Sequence, residues 1–147
     1  MNRTAAIFLS FLGLVAAPSV EAEQARSFGD YTVHYSAFST DILTPEVAKA
    51  YQITRSKNRA LLNISVLKKV MGNTVQPVKA EVKATATNLS AQLRELDVRE
   101  LSQDGAVYYI AQTSVDHGET LRYDVSVRPE GEENAFKFSF EQQFFTE

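Results

Sequence analysis

Arg55, Lys57 and Arg59 alternate along a single stretch of five residues, the densest group of chemically capable side chains in the sequence. Donors so concentrated suit a phosphate, a carboxylate or an acidic partner surface, and arginine can grip such a group through two parallel hydrogen bonds. If the stretch extends the strand that follows it, residues 55, 57 and 59 share one face, while Ser56 and Asn58 take the other. The same residues also read as a solvated loop whose charges balance acidic groups on neighbouring loops.

His34 and His117 are the only histidines. His34 lies on the polar side of an alternating segment and joins the basic group as a ligand- or partner-binding candidate if their strands are adjacent. Asp116, His117 and Glu119 offer donors for a divalent cation. A zinc site takes about four ligands, usually several of them histidine or cysteine, and this stretch reads equally well as a turn. No metal site is expected. A Gly-x-Ser-x-Gly nucleophile elbow, a glycine-rich phosphate loop and a dinucleotide fingerprint are all absent from the sequence, so no catalytic residue and no cofactor is assigned. Glu130, Glu132 and Glu133 sit together in a solvated loop.

The elements that must position these residues are mostly strands. Tyr31 to Phe38 alternates apolar and polar residues, the period of a half-buried strand. Thr44-Pro45-Glu46 then opens a short helix near 45–51: threonine caps, proline suits the first helical position, and glutamate faces the positive end of the dipole. A second strand is predicted over about 60–68 and a third over about 75–87, with Val78, Ala80, Val82, Ala84 and Ala86 on one face. Residues 93–102 are read as a strand because Asp104-Gly105 is a hairpin turn and Ala106 to Val115 is rich in β-formers. Further strands are predicted over about 121–128 and 136–145. The last offers Phe136, Phe138, Phe140 and Phe144 to one side, and these are expected to meet the alanines of the third strand in the core. One of Tyr108 and Tyr109 must face outward, because adjacent strand residues point to opposite sides.

Seven short strands and one short helix suggest an all-β, two-sheet antiparallel sandwich of immunoglobulin-like size. A small closed barrel is the alternative. Arg3, the apolar run Ala5–Ala17 and the small residues ending at Ala22 read as an export signal cleaved after Ala22. That run is shorter than the roughly 20 residues of a transmembrane helix. Residues 23–147 then form a single domain, with 23–27 as a loose leader, and no membrane insertion follows cleavage. The chain of 147 residues contains no cysteine and carries a net charge of −3. Thiolate metal sites are thereby excluded, and no global attraction to nucleic acid is expected.

Phe28-Gly29-Asp30-Tyr31-Thr32-Val33-His34-Tyr35, Leu43-Thr44-Pro45-Glu46-Val47-Ala48 and Arg55-Ser56-Lys57-Asn58-Arg59-Ala60 carry a resemblance, together with Tyr108-Tyr109-Ile110 and Val127-Arg128-Pro129. The chain resembles a family of small exported proteins of Gram-negative bacteria whose function is unassigned (domain of unknown function 4426). The resemblance implies a periplasmic protein with a single β-rich domain, and it brings no reaction, ligand or catalytic residue. From the residues themselves, the expected function is a non-enzymatic periplasmic binding or accessory module. It would contact an envelope protein or an anionic small molecule through Arg55, Lys57 and Arg59, with His34 nearby. The alternatives are an enzyme with its site near His34 or His117, and a protein contacted by β-strand addition at a sheet edge.

Overall fold

The computed structural model describes residues 24–147. The export signal expected over 1–22, with its cleavage point, lies outside the described residues. Ten strands run in chain order: β1 (Gln24–Phe28), β2 (Tyr31–Ser39), β3 (Arg59–Lys69), β4 (Val75–Pro77), β5 (Ala80–Asn88), β6 (Leu93–Glu95), β7 (Arg99–Gln103), β8 (Ala106–Ser114), β9 (Thr120–Pro129) and β10 (Phe136–Gln143). A 3-10 turn, Thr40–Ile42, and one helix, α1 (Pro45–Ala50), lie between β2 and β3. Sheet A has the order β1-β2-β3-β8-β7, with the short β4 also on β3, and sheet B has the order β10-β9-β5-β6. All pairings are antiparallel. The architecture is the expected sandwich rather than a closed barrel, with ten strands in place of seven.

The three additional strands come from two predicted elements that divide and from a segment that carries no hydrophobic signal. Residues 24–27 are exposed and mostly polar, yet they form β1 by backbone pairing with β2, anchored at Phe28. The segment predicted as one strand over 75–87 is two, β4 on sheet A and β5 on sheet B. Pro77 has no amide to extend the ladder, and the chain crosses between sheets after Val78 donates to the Val66 carbonyl at 3.0 Å. Residues 93–102 divide in the same way. β6 pairs with β5, β7 pairs with β8, and the link between them changes sheets. Asp104 and Gly105 both have positive φ, 52° and 82°, and join β7 to β8 as the hairpin dipeptide predicts.

The core is the shared inner face of the two sheets. Val33, Tyr35, Leu62, Ile64, Tyr123 and Val125 are among its buried residues. The phenylalanine strand and the alanine strand do not face each other across it. They lie in the same sheet on either side of β9, with Phe138 opposite Val125 and Val125 opposite Ala84. The phenylalanines instead meet tyrosines: Tyr35 of sheet A lies 4.8 Å from Phe138 and 4.6 Å from Phe140, ring centre to ring centre. Small alanines beside β9 leave room for Tyr123, which stacks at 5.0 Å on Phe140. Phe28 and Phe136 stack at 4.8 Å and close the β1–β10 side of the sandwich.

A satellite cluster sits on the outer face of sheet A. Ala48 of α1, together with Ile53, covers Leu61 of β3 and Ile110 of β8. Apolar runs at Ala60-Leu61-Leu62 and Tyr109-Ile110-Ala111 serve both layers, with alternate residues turned to the core and to the helix.

Candidate functional site

The basic segment lies at one end of the sandwich and runs from the end of α1 into β3. α1 begins as the sequence predicts: the Thr44 side chain accepts from the Val47 amide at 3.3 Å, with Pro45 at the first helical position. Its end is less obvious. Gln52 takes a left-handed conformation (φ 56°), its amide reaches Lys49 O at 3.3 Å, and the Ile53 amide reaches Ala48 O at 2.8 Å. These two reverse bonds form a Schellman closure with glutamine in the place usually held by glycine. Ile53 then packs beside Ala48, which fixes the direction of the chain entering the basic segment.

Thr40 is the residue that holds this segment still. Its side chain is fully buried. The hydroxyl accepts from the Ser56 amide at 2.8 Å and donates to the Thr54 carbonyl at 2.7 Å. One threonine thus satisfies two backbone groups of a loop that has no ladder of its own. Arg55 adds a second latch. Its Nε donates to Leu43 O at 2.7 Å and its Nη2 to Asp41 O at 3.2 Å. The bases that look equivalent in sequence are therefore divided in role. Arg55 holds the loop to the 3-10 turn, whereas the side chains of Lys57 and Arg59 make no hydrogen bond or ion pair among the described residues. Two apolar side chains stand exposed in the segment that Arg55 grips and in the helix that follows it: Ile42, 68% exposed, and Val47, 40% exposed. Thr40 carried no signal in the sequence, where Ser39-Thr40-Asp41 reads only as a strand breaker.

His34 is not part of this group. It pairs with Ser65, six residues along β3 from Arg59. At about 3.3 Å per residue this separates them by about 20 Å, with the Leu61 cluster and α1 on the intervening face. His34 lines a small notch of about 250 Å³ on the outer face of sheet A, beside Ser65, Leu67, Pro77 and Tyr108. Tyr108 is the outward member of the tyrosine pair and Tyr109 the buried one. The Tyr109 hydroxyl ties the sheets together, donating to Glu100 at 3.1 Å and accepting from the Ala80 amide at 2.7 Å. Burial is the main cause pushing its pKa up.

His117 lies in the turn between β8 and β9, where its Nδ1 accepts from the Thr146 amide at 3.0 Å. Its neighbour Glu119 accepts from Asn88 at 3.4 Å. Among the described residues, no group of three His, Cys, Asp or Glu side chains gathers closely enough to hold a metal ion. The structure therefore separates the candidates into a fixed basic loop beside α1, a histidine in its own notch, and a histidine engaged with the C-terminal backbone.

The sequence profile of DUF4426, a domain of unknown function, matches residues 25–147. A crystal structure of a DUF4426 family protein from Pseudomonas aeruginosa PAO1 is similar to this chain, with 36% identity and a TM-score of 0.72, covering 84% of this chain and 94% of that one. FetP of uropathogenic Escherichia coli, recombinantly expressed in the periplasm, shares the fold with a TM-score of 0.57 at 12% identity, covering 84% of this chain and 94% of its own. A copper-bound variant of FetP aligns with a TM-score of 0.56 at 11% identity, over 84% and 95% of the two chains. No functionally curated protein matches the chain.

Proposed function

We propose, from the premise that this chain belongs to the DUF4426 family, that it is a non-enzymatic periplasmic accessory module that docks an acidic envelope partner on its basic loop. The observation that carries this reading is the contrast within the loop. Thr40 and Arg55 spend their hydrogen bonds on fixing the backbone, while Lys57 and Arg59 are presented on it with no partner among the described residues. A held loop loses little conformational freedom on binding, so less of the contact energy goes into ordering it. The exposed Ile42 and Val47 favour a protein surface over a bare ion, since apolar side chains next to a cation suit a partner that buries both.

The periplasmic reading is supported by the export signal read from residues 1–22 and by the likeness to FetP, a protein expressed in that compartment. Copper does not come with the likeness. Among the described residues no group of three His, Cys, Asp or Glu side chains gathers, and no step through a metal is derived. His34, about 20 Å from the loop, lies outside this contact surface.

The test is crosslinked capture from the cell envelope, comparing the native protein with Lys57→Ser/Arg59→Ser and with His34→Ala. Arg55 is kept so that the loop stays latched. Capture should be lost in the double variant, should weaken with salt as exposed charge contacts are screened, and should persist in His34→Ala. Undiminished capture by the double variant would sink the reading.

A further inference from the structure

The outer face of sheet B is crossed by a groove of about 630 Å³, on the opposite side of the sandwich from α1. This volume lies within the range of small-molecule sites, about 300–1,000 Å³. Strand register sets what lines it. Lys83 of β5, Ser126 of β9 and Lys137 of β10 stand side by side on one rung, and Thr85, Asp124 and Ser139 on the next. Two strand spacings of about 4.8 Å place the lysine backbones about 10 Å apart, with the serine hydroxyl between them. Lysine stems are long enough to lean together over Ser126 from both sides.

The hydrogen-bonding groups of the groove differ from one rung to the next. Asp124 accepts from the Ser139 hydroxyl and from Arg122 at 3.3 Å, both at Oδ1. Lys83 reaches Glu81 at 3.2 Å, a carboxylate that Arg128 also holds. Glu95 stands exposed at the rim, beyond Thr85 on its rung. Lys137, Ser126 and Thr85 have no side-chain hydrogen bond or ion pair among the described residues. Ammonium and hydroxyl donors are thus left over at Lys137, Ser126 and Thr85, and the Arg122 ion pair offsets the Asp124 charge, which favours an anion on the Lys83–Ser126–Lys137 rung.

We propose that this groove binds a small molecule through an oxyanion, a phosphate or carboxylate group seated between Lys83 and Lys137 on the Ser126 hydroxyl. The remaining volume accommodates an uncharged body attached to that group. The site is independent of the basic loop, which lies at the sandwich end beside α1, so either can fail without the other.

Inorganic phosphate and succinate, titrated at constant ionic strength into the native protein, separate the two sources of the oxyanion when backbone amide shifts are followed by NMR. The expected result is a saturable shift centred on residues 83, 126 and 137 for at least one of them, and none with chloride. Lys83→Ser/Lys137→Ser should weaken the binding at least tenfold, and Lys57→Ser/Arg59→Ser should leave it unchanged. Should the double lysine variant lose its fold, Lys137→Gln and Ser126→Ala serve instead, each with a severalfold loss expected. Shifts that rise linearly without saturation, that centre on residues 55–59, or that survive the lysine and serine substitutions would overturn the proposal.

Discussion

Leu61 and Lys83 occupy comparable positions, each on a central strand and each pointing away from the shared core. Leu61 is 3% exposed, and Lys83 stands in solvent. The difference lies in what the chain places over each sheet. Sheet A receives α1 and Ile53 on its outer face, so β3 is buried on both sides and its sequence runs apolar through Ala60-Leu61-Leu62. Sheet B receives no covering element among the described residues, and β5 keeps a strict alternation, with Glu81, Lys83 and Thr85 outward and Val82, Ala84 and Ala86 inward. A covered face supports a rigid loop at its margin. The open face leaves a groove lined by polar side chains such as Lys83, Ser126 and Lys137 together with apolar ones such as Val82, Leu96 and Val98.

The widest separation between the two faces should appear on truncation. Leu61→Ala is expected to cost about 2–5 kcal/mol, the range for a buried leucine, while Lys83→Ala should stay within about 0.5 kcal/mol. Phe138→Ala, in the core beneath both faces, should cost about 3–5 kcal/mol. Denaturant melts decide it, and equal losses for Leu61 and Lys83 would mean that α1 does not cover sheet A in solution.

Loosening the covered face without removing its apolar contacts calls for Thr40→Val. The shape is kept, but the Ser56 amide and the Thr54 carbonyl lose their buried partner, at an expected cost of about 1–3 kcal/mol. Hydrogen exchange at the Ser56 amide should accelerate. Protection that stays the same would show that Thr40 is not the latch.

Sheet B has a polar exception on its buried side. The Tyr123 hydroxyl is buried with no hydrogen-bond partner, and its pKa is pushed up chiefly by burial, with Arg94 opposing and Glu119 adding to the rise. The unfolded chain ionises a tyrosine near pH 10, whereas the folded chain keeps this one neutral. Stability is therefore fully present below about pH 10 and falls as pH rises beyond it, by about 1.4 kcal/mol per pH unit for one such proton. Tyr123→Phe should raise stability at neutral pH by about 1 kcal/mol, because it removes an unpaired buried hydroxyl. It should also flatten the alkaline decline. Melts between roughly pH 8 and 11, around the tyrosine pKa, would show an unaltered slope if the hydroxyl finds a partner in solution.

The smallest effect sharpens the covered face. Gln52→Gly places a residue without Cβ at φ 56° and should stabilise the end of α1 by about 0.5–1 kcal/mol. A loss of stability in thermal melts would show that the Gln52 side chain contributes more than its backbone strain costs.

Properties that depend on neighbours a few residues away were legible along the chain. Inward and outward parity along β2, β3, β5 and β9, the capped start of α1 and the Asp104-Gly105 hairpin all follow from side-chain alternation and local backbone preference. The apolar runs of β3 and β8 read as strands only, and it is the structure that shows them buried on two sides, beneath α1 and Ile53. Sheet membership was decided only by the tertiary structure, because an unpaired strand edge carries no label for its partner. Hence residues 75–87 and 93–102 divide between sheets, and the phenylalanines of β10 face tyrosines of β2 instead of the alanines of β5. The candidate site divides along the same line. That Arg55, Lys57 and Arg59 are bases on one short segment is plain in the sequence. Which base is spent on a carbonyl twelve residues away, and that a buried threonine hydroxyl holds the loop, depends on long-range hydrogen bonds that satisfy backbone groups without a ladder.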